Sequence, residues 1–327
     1  MTTSEKVITL KDLIDGDVLV MQGPKGWSDM SLHLALDKAI MWLTDSDVTH
    51  GALYLGEIDD VHYLIDDGLK GIDRHTMTHE GGEPVLWYVR RPTTDKPLSP
   101  VLDVAKKYEG ESTAYDWELL AMVGFLLLFK KMTDNDLYHR TLLYFLKKAV
   151  VYIDQHTHKV GTRYFICSQF VATCFEEAGD GYELDVVNGN LQTKSLAQET
   201  TLIDYCLTNS KQASQQVKTL QTEDISEPTA EDIKVLIESY DDDSKLLNMD
   251  EHNQLFGELV SVSDSFLDVF FKLNAKALGL KPEDWDTAEK RFSLAKKYQA
   301  DFVTPADLKS HCKNLEDIGT VTFVYGE

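Results

Sequence analysis

The chain has 327 residues, of which 43% are hydrophobic, and its 32 Lys and Arg against 55 Asp and Glu give a formal net charge of −23. This length exceeds what one hydrophobic core usually supports and predicts two domains. The acidic balance argues against nucleic acid as a partner, because phosphate binding requires clustered Lys and Arg. It would also repel an anionic membrane unless apolar surface provided the contact.

The cysteines and the N-terminus bear on the compartment of the protein. The four cysteines are widely spaced and form no CxxC pair, which predicts reduced thiols and neither a zinc site nor a disulfide framework. Residues 1–6 lack the basic-then-apolar pattern of a signal peptide, and no apolar run reaches the roughly 20 residues that span a bilayer. We therefore expect synthesis in the cytoplasm, no transmembrane anchor, and export only by a signal-independent route.

The first hundred residues show strand signals around one helix signal. Alternation with period two predicts strands, and apolar residues three and four apart predict a helix. Asp15-Gly16-Asp17 reads as a turn into the first strand. The predicted elements are a buried strand, a helix, a hairpin of two strands and a further strand, in that order: 18–21, 28–44, 48–56 with 61–66, and 85–90.

Helical spacing dominates after Pro100. A short helix is expected first, followed by two long apolar ones, at 101–108, 117–132 and 137–153. Residues 210–231 are rich in Gln, Ser, Thr and Glu, which is typical of a linker, and nearly everything beyond them has helical spacing. We therefore predict an α+β domain, a linker and an acidic all-α domain, at residues 1–210, 211–228 and 229–327.

Cys167 lies where a short apolar strand is expected to give way to a helix. The first-turn N–H groups and the positive end of the helix dipole would favour its thiolate, which is the form that attacks carbonyl carbon. Cys167 is therefore the candidate nucleophile. The alternative is a buried small apolar residue, since most free cysteines are of that kind.

A thiol nucleophile needs an imidazole within hydrogen-bond reach and usually a third group that orients the ring. Strand alternation places His50, Ala52 and Tyr54 on one face, and Gly51 removes bulk beside the ring. The next predicted strand offers Asp66 from an adjacent position. His50 is therefore the candidate base and Asp66 the candidate orienting carboxylate.

Four short stretches, in their order along the chain, carry a family resemblance. They are Gly16-Asp17-Val-Leu, Thr49-His50-Gly-Ala-Leu-Tyr, Tyr108-Glu-Gly-Glu-Ser-Thr-Ala-Tyr115-Asp116, and Phe165-Ile-Cys167-Ser168-Gln169-Phe-Val. Residues 12–180 thereby resemble the permuted NlpC/P60 branch of the papain-like cysteine hydrolases, the YiiX-like group related to lecithin-retinol acyltransferases. The histidine precedes the cysteine, which is the permuted order. Two positions depart from the family pattern: the family commonly has Glu or another polar residue where this chain has Asp66, and Glu where it has Gln169.

The resemblance implies an α+β papain-like fold, with a small antiparallel sheet and an inserted helical hairpin, that needs neither cofactor nor metal. It implies attack of Cys167, activated by His50, on an ester or amide carbonyl, with a thioester intermediate that water or another acceptor resolves. The backbone N–H of Cys167 would bind the oxyanion. Tyr115, Tyr164 and Ser168 are further candidates for oxyanion or substrate contact.

The two apolar segments between Tyr115 and Cys167 suggest a substrate class. Residues 119–129 are apolar on every side, and such a helix must be buried or meet lipid. A hairpin within residues 117–153 could wall an acyl-chain groove and touch a membrane peripherally, which favours a lipid or fatty-acylated substrate. The alternative for the hairpin is additional core.

Two other functions stay open at this stage. One is cleavage of a peptide bond in bacterial peptidoglycan, for instance by a secreted antibacterial effector, although no wall-binding repeat accompanies the core. The other is a non-catalytic binding module on a papain-like scaffold, which would be expected to have lost the thiol or the imidazole.

The acidic C-terminal region contains two faint resemblances to EF-hands, at residues 237–251 and 297–308. A calcium loop needs twelve positions and a glycine at the sixth. The loop within the first segment is one residue short and lacks the glycine, and the loop within the second is shorter still. We therefore expect degenerate loops, and a domain at residues 229–327 that binds a protein partner. The alternative is a solvated helical bundle without a partner.

Overall fold

The computed structural model describes residues 6–27, 30–68, 71–111, 115–156, 167–187, 189, 191, 200–213, 226–241, 248–275, 278–299 and 301–325. Within these ranges the fold is mixed α+β. Six antiparallel strands close into one barrel in the order β1-β2-β3-β4-β6-β5. The strands are β1 Val18–Gln22, β2 Val48–Ile58, β3 Val61–Gly68, β4 Gly71–Thr78, β5 Val85–Pro92 and β6 Leu315–Tyr325.

Ten α-helices surround the barrel in the described part of the chain. They are α1 Leu32–Thr44, α2 Ser99–Tyr108, α3 Tyr115–Leu128, α4 Asp136–His156, α5 Cys167–Glu177, α6 Leu202–Ala213, α7 Ala230–Tyr240, α8 Met249–Asn274, α9 Ala288–Tyr298 and α10 Pro305–Ser310. Two short 3-10 turns, Leu10–Asp12 and Pro282–Asp284, complete the regular structure. None of the described helices is long and apolar enough to cross a membrane.

Local turn chemistry shapes the start of the barrel. The hairpin of β2 and β3 turns at Asp59 and Asp60, whose φ angles of 52° and 63° give the left-handed conformation that tight hairpins favour. Gly16 has a φ of 89°, which suits glycine, and Asp17 after it is buried. Arg91 of β5 donates two hydrogen bonds to Asp17, at 2.8 and 2.7 Å, so this turn is fixed to the strand next to β1.

Strand alternation divides the barrel residues between two cores. Inward-facing side chains, among them Leu19, Ala52, Leu64, Trp87 and Phe323, form a core inside the barrel. Outward-facing residues of the same strands pack against α2, α5 and α10 in a second core. Helix α5 therefore lies against the outer face of β2 and β3, with its first residue close to one end of the barrel.

A third core belongs to the helices. It joins α1, α3, α4, α6, α7, α8 and α9, and the ring of Phe125 in α3 stacks on Phe270 in α8 with 4.8 Å between ring centroids. Gly124 lets these two helices approach, because an added Cβ there would lie 2.4 Å from the Phe266 ring. Residues 119–129, the first of the two apolar segments, are buried in this core.

The sequence analysis missed two strands. Strand β4 has few apolar residues, and β6 was included in a region expected to be all helical. Strand β6 pairs with β5 along its length and with the end of β4, so the last described residues belong to the barrel. The prediction that residues 229–327 are entirely helical is therefore wrong at their C-terminal end. The helical spacing expected beyond the linker is found over most of this region, including the 26-residue helix α8.

Two predictions fall largely outside the described residues. They are the linker at 211–228, of which residues 214–225 are not described, and the first EF-hand-like loop, of which residues 242–247 are not described. The second EF-hand-like segment is described except for residue 300. There Asp307 accepts hydrogen bonds from the Thr304 backbone N–H and hydroxyl, at 2.9 and 2.7 Å, and so caps α10.

Candidate active site

Cys167 is the first residue of α5 and is fully buried. Its Sγ lies 3.8 Å from the backbone carbonyl of Thr49, the residue before His50. Gly51 faces α5 and α10: an added Cβ would lie at an ordinary contact distance of 3.6 Å from the Ser168 Cα, but only 2.9 Å from the Leu308 side chain in α10. The thiol therefore lies at the N-terminus of a helix, against the strand that carries the histidine.

His50 and Asp66 meet inside the barrel. Ala52 pairs with Asp66 across β2 and β3, which makes His50 and Asp66 diagonal neighbours on the inward face. The His50 Nε2 lies 2.7 Å from the Asp66 Oδ2, and both side chains are buried. Because Asp66 engages Nε2, the nitrogen available to the Cys167 thiol is Nδ1.

The three groups form a coupled set of charges. Burial alone would lower the pKa of His50, but the Cys167 thiolate and the Asp66 carboxylate raise it well above the ordinary value. Burial alone would raise the pKa of Asp66, yet His50 and His75 hold it below its usual range. The arrangement therefore favours the charged form of the His50 ring.

The other three thiols have different surroundings. Burial raises the pKa of Cys174, and it raises the pKa of Cys206 and of Cys312 to about 12. A buried thiol without a neighbouring base stays protonated and reacts slowly. Cys167 is thus distinguished from them by its imidazole.

Two further residues contact Asp66, and the sequence analysis missed both. The Tyr325 hydroxyl in β6 donates to the Asp66 Oδ2 at 2.6 Å, and the His75 Nε2 in β4 lies 3.3 Å from its Oδ1. Both come from the strands that were not predicted. Alternation of Val321, Phe323 and Tyr325 was a sequence signal for β6 that could have found the tyrosine.

A buried acidic residue of α1 also faces the site. Asp37 is 4% exposed, and burial raises its pKa to about 7, against an opposing influence of His50. His33, one turn earlier, places its Nε2 3.7 Å from the Asp37 Oδ2. Asp37 is therefore a second carboxyl group near the imidazole that titrates close to neutral pH.

The remaining predicted contacts have less support. The Ser168 hydroxyl is buried and donates to the Val303 carbonyl at 2.8 Å, so it anchors the segment before α10. Tyr164 lies outside the described residues, and Tyr115 is described only as the first residue of α3, without its side chain. The oxyanion donors that the described backbone offers are the N–H groups of the first turn of α5.

Comparisons with known proteins identify no relative of this chain. No family model, curated protein or solved structure matches the chain. Among the described residues there is also no group of three or more His, Cys, Asp or Glu side chains that could hold a metal ion. The chemistry must therefore be argued from the Cys167, His50 and Asp66 side chains themselves.

Proposed function

We propose that the protein is a thiol-dependent hydrolase or acyltransferase that acts on an ester or amide, with Cys167 as nucleophile, His50 as base and Asp66 as orienting carboxylate. The observation that carries this proposal is the 2.7 Å contact between the His50 Nε2 and the Asp66 Oδ2, on a ring that also interacts with Cys167 at the first residue of α5. Nucleophilic thiol catalysis requires these roles together.

The first half-reaction transfers the acyl group to sulfur. The Cys167 thiolate attacks the carbonyl carbon, and the oxyanion that forms accepts hydrogen bonds from N–H groups in the first turn of α5. The His50 imidazolium then gives its proton to the leaving alcohol or amine. The carbon–oxygen or carbon–nitrogen bond breaks, and an acyl thioester remains on Cys167.

The second half-reaction releases the acyl group and regenerates the free enzyme. Neutral His50 takes a proton from water, or from an acceptor alcohol or amine, as that molecule attacks the thioester. The carbon–sulfur bond breaks, and the thiolate and imidazolium are restored. Asp66 holds the ring in place through both steps and stabilises its charged form.

The relation to permuted NlpC/P60 proteins is part of the same proposal. Support comes from the order of histidine, carboxylate and cysteine along the chain, from an antiparallel sheet that carries His50 and Asp66, and from a helix that begins at Cys167. The closed six-stranded barrel is the architecture that such a catalytic core would have in this chain.

The substrate is proposed only as an ester or amide. The sequence-based preference for lipid rested on a hairpin within residues 117–153 that could wall an acyl-chain groove, and residues 119–129 of that hairpin are buried in the helical core. That segment therefore offers no described surface to an acyl chain or a membrane. A phospholipid and a peptidoglycan peptide are the two substrates that the experiment must separate.

The test compares wild type with Cys167→Ala on phospholipid vesicles and on purified peptidoglycan, measuring released fatty acid and released peptides. We expect one of the two products with wild type and none with Cys167→Ala. Cys174→Ala is the matched control, because it removes a buried thiol from the same helix and should keep the activity. Equal release by wild type and Cys167→Ala on both substrates would refute the proposal.

A further inference from the structure

We propose that Tyr325 and His75 are positioning residues, which hold the Asp66 carboxylate in the orientation that keeps the His50 ring directed at Cys167. This inference rests on the proposed function, since it assigns two more residues to the same site. It also makes β6, at the far end of the chain, part of the catalytic centre. The support is geometric and comes from three different strands.

The Asp66 carboxylate has close neighbours at both oxygens. Its Oδ2 accepts from the His50 Nε2 at 2.7 Å and from the Tyr325 hydroxyl at 2.6 Å. The His75 Nε2 lies 3.3 Å from Oδ1, which has no partner of full hydrogen-bond geometry, so His75 acts on that oxygen mainly through its charge. The Asp66 side chain is completely buried, and two hydrogen bonds to one of its oxygens restrict its rotation more than one would.

The two positioning residues are themselves fixed. The rings of His75 and Tyr325 lie 5.1 Å apart, and the Tyr325 ring also packs 5.7 Å from Trp87, the buried indole of β5. Strand pairing places Tyr325 opposite Met77, two residues after His75 on β4. Strand pairing and ring packing within the barrel therefore direct the Tyr325 hydroxyl at Asp66.

The consequence for the thiol follows from the ring geometry. The imidazole can accept the proton of Cys167 at Nδ1 only while Nε2 stays directed at Asp66, because the two nitrogens move together. Other titratable groups that face His50 are Cys167 itself on α5 and Asp37 on α1, with His33 beside Asp37. Loss of the Tyr325 hydroxyl should therefore reduce the reactivity of Cys167 through its effect on Asp66 and His50.

The barrel supplies a matched control for this substitution. Tyr54 is an inward-facing tyrosine that is more buried than Tyr325, and its hydroxyl lies 2.6 Å from the His62 Nδ1. Tyr325→Phe and Tyr54→Phe thus each remove one short hydroxyl hydrogen bond from the same barrel. A merely structural role would give the two variants the same phenotype.

The experiment measures alkylation of Cys167 by iodoacetamide at pH 7, followed by peptide mass spectrometry, together with the NMR signal of the hydrogen-bonded His50 N–H proton. We expect Tyr325→Phe to slow alkylation roughly tenfold, because it removes a hydrogen bond to a charged group, and to broaden the N–H signal. Tyr54→Phe should match wild type in both. Wild-type alkylation and N–H signal in Tyr325→Phe, or equal losses in the two variants, would overturn the proposal.

Variants of His75 keep the test decisive if Tyr325→Phe does not fold. His75→Ala should slow alkylation several-fold, and His75→Gln should restore part of the rate, since the amide can donate to the Asp66 Oδ1 although it carries no charge. Equal rates in His75→Ala and wild type would count against the proposal. These measurements need no substrate. The positioning role of Tyr325 and His75 is therefore tested independently of whether hydrolysis is found.

Discussion

Buried charges are handled differently in the helical core and at the end of the barrel. In the helical core they form ion pairs. Arg291 makes a bidentate interaction with Asp264, with hydrogen bonds of 2.6 and 2.9 Å, and Lys148 donates to Asp232 at 2.7 Å. At the barrel end a single carboxylate, Asp66, is shared by three side chains. Breaking a buried pair should therefore mainly affect stability, whereas the proposed function predicts that breaking the shared contact affects the reactivity of the thiol.

Among the substitutions that distinguish the two regions, Asp66→Asn should have the largest effect, and that effect should be on the reactivity of Cys167. The amide cannot support an imidazolium, so we expect the alkylation rate of Cys167 at pH 7 to fall by about 10²-fold or more. The control is Asp73→Asn, which neutralises the exposed residue opposite Asp66 in the ladder and should leave the rate unchanged. A similar rate in Asp66→Asn and wild type would mean that the shared carboxylate does not act on the thiol.

Breaking a pair in the helical core should have the opposite signature. Arg291→Met leaves the Asp264 carboxylate buried without its bidentate arginine partner. We expect the free energy of unfolding in urea to fall by about 3–5 kcal/mol. Cys167 alkylation in the folded variant should not change. The neighbouring exposed Lys290→Met should stay within about 0.5 kcal/mol of wild type. A slower thiol in Arg291→Met would show that the two regions are coupled.

A smaller, pH-dependent effect is expected from His139 in α4. Burial is the main cause that lowers its pKa to about 4, so the unfolded chain takes up a proton near pH 6.5 that the folded chain accepts only near pH 4. The free energy of unfolding should therefore decrease as the pH falls, by about 2 kcal/mol between pH 7 and pH 5 from this residue.

The measurement compares urea unfolding of wild type and His139→Leu at the two pH values. The variant should lose that part of the decrease, and its Cys167 alkylation should match wild type. His139 suits this test because both of its ring nitrogens are buried and lack a hydrogen-bond partner in the described structure. Identical pH dependence in the two proteins would contradict the assignment of the decrease to His139.

The sequence was sufficient for the part of the site that depends on local order. Alternation in β2 put His50 on the face of Ala52 and Tyr54, and the short hairpin brought Asp66 beside it. A helix beginning at Cys167 was also expected, and the helical spacing beyond the predicted linker is found again in α7 and α9. Each of these depends on spacing within about twenty residues, where chain geometry leaves few alternatives.

The rest of the site depends on contacts that local patterns do not determine. Tyr325 meets Asp66 across 259 residues of sequence, through a strand that closes the barrel. His75 belongs to β4, whose polar sequence is stable as a strand because β3 pairs with it. An all-apolar segment such as 119–129 is equally consistent with burial in a core and with contact to lipid. The packing of α8 against it, which the local sequence does not predict, shows that it is buried.

The central claim is that His50 makes Cys167 a nucleophile. The most direct measurement is the iodoacetamide rate of each cysteine at pH 7 in wild type and in His50→Ala, resolved by peptide mass spectrometry. We expect Cys167 to react faster than Cys174 on the same helix in wild type, and to fall to the rate of Cys174 in His50→Ala. Equal rates for the two thiols in wild type, or a Cys167 rate that His50→Ala leaves unchanged, would contradict the account.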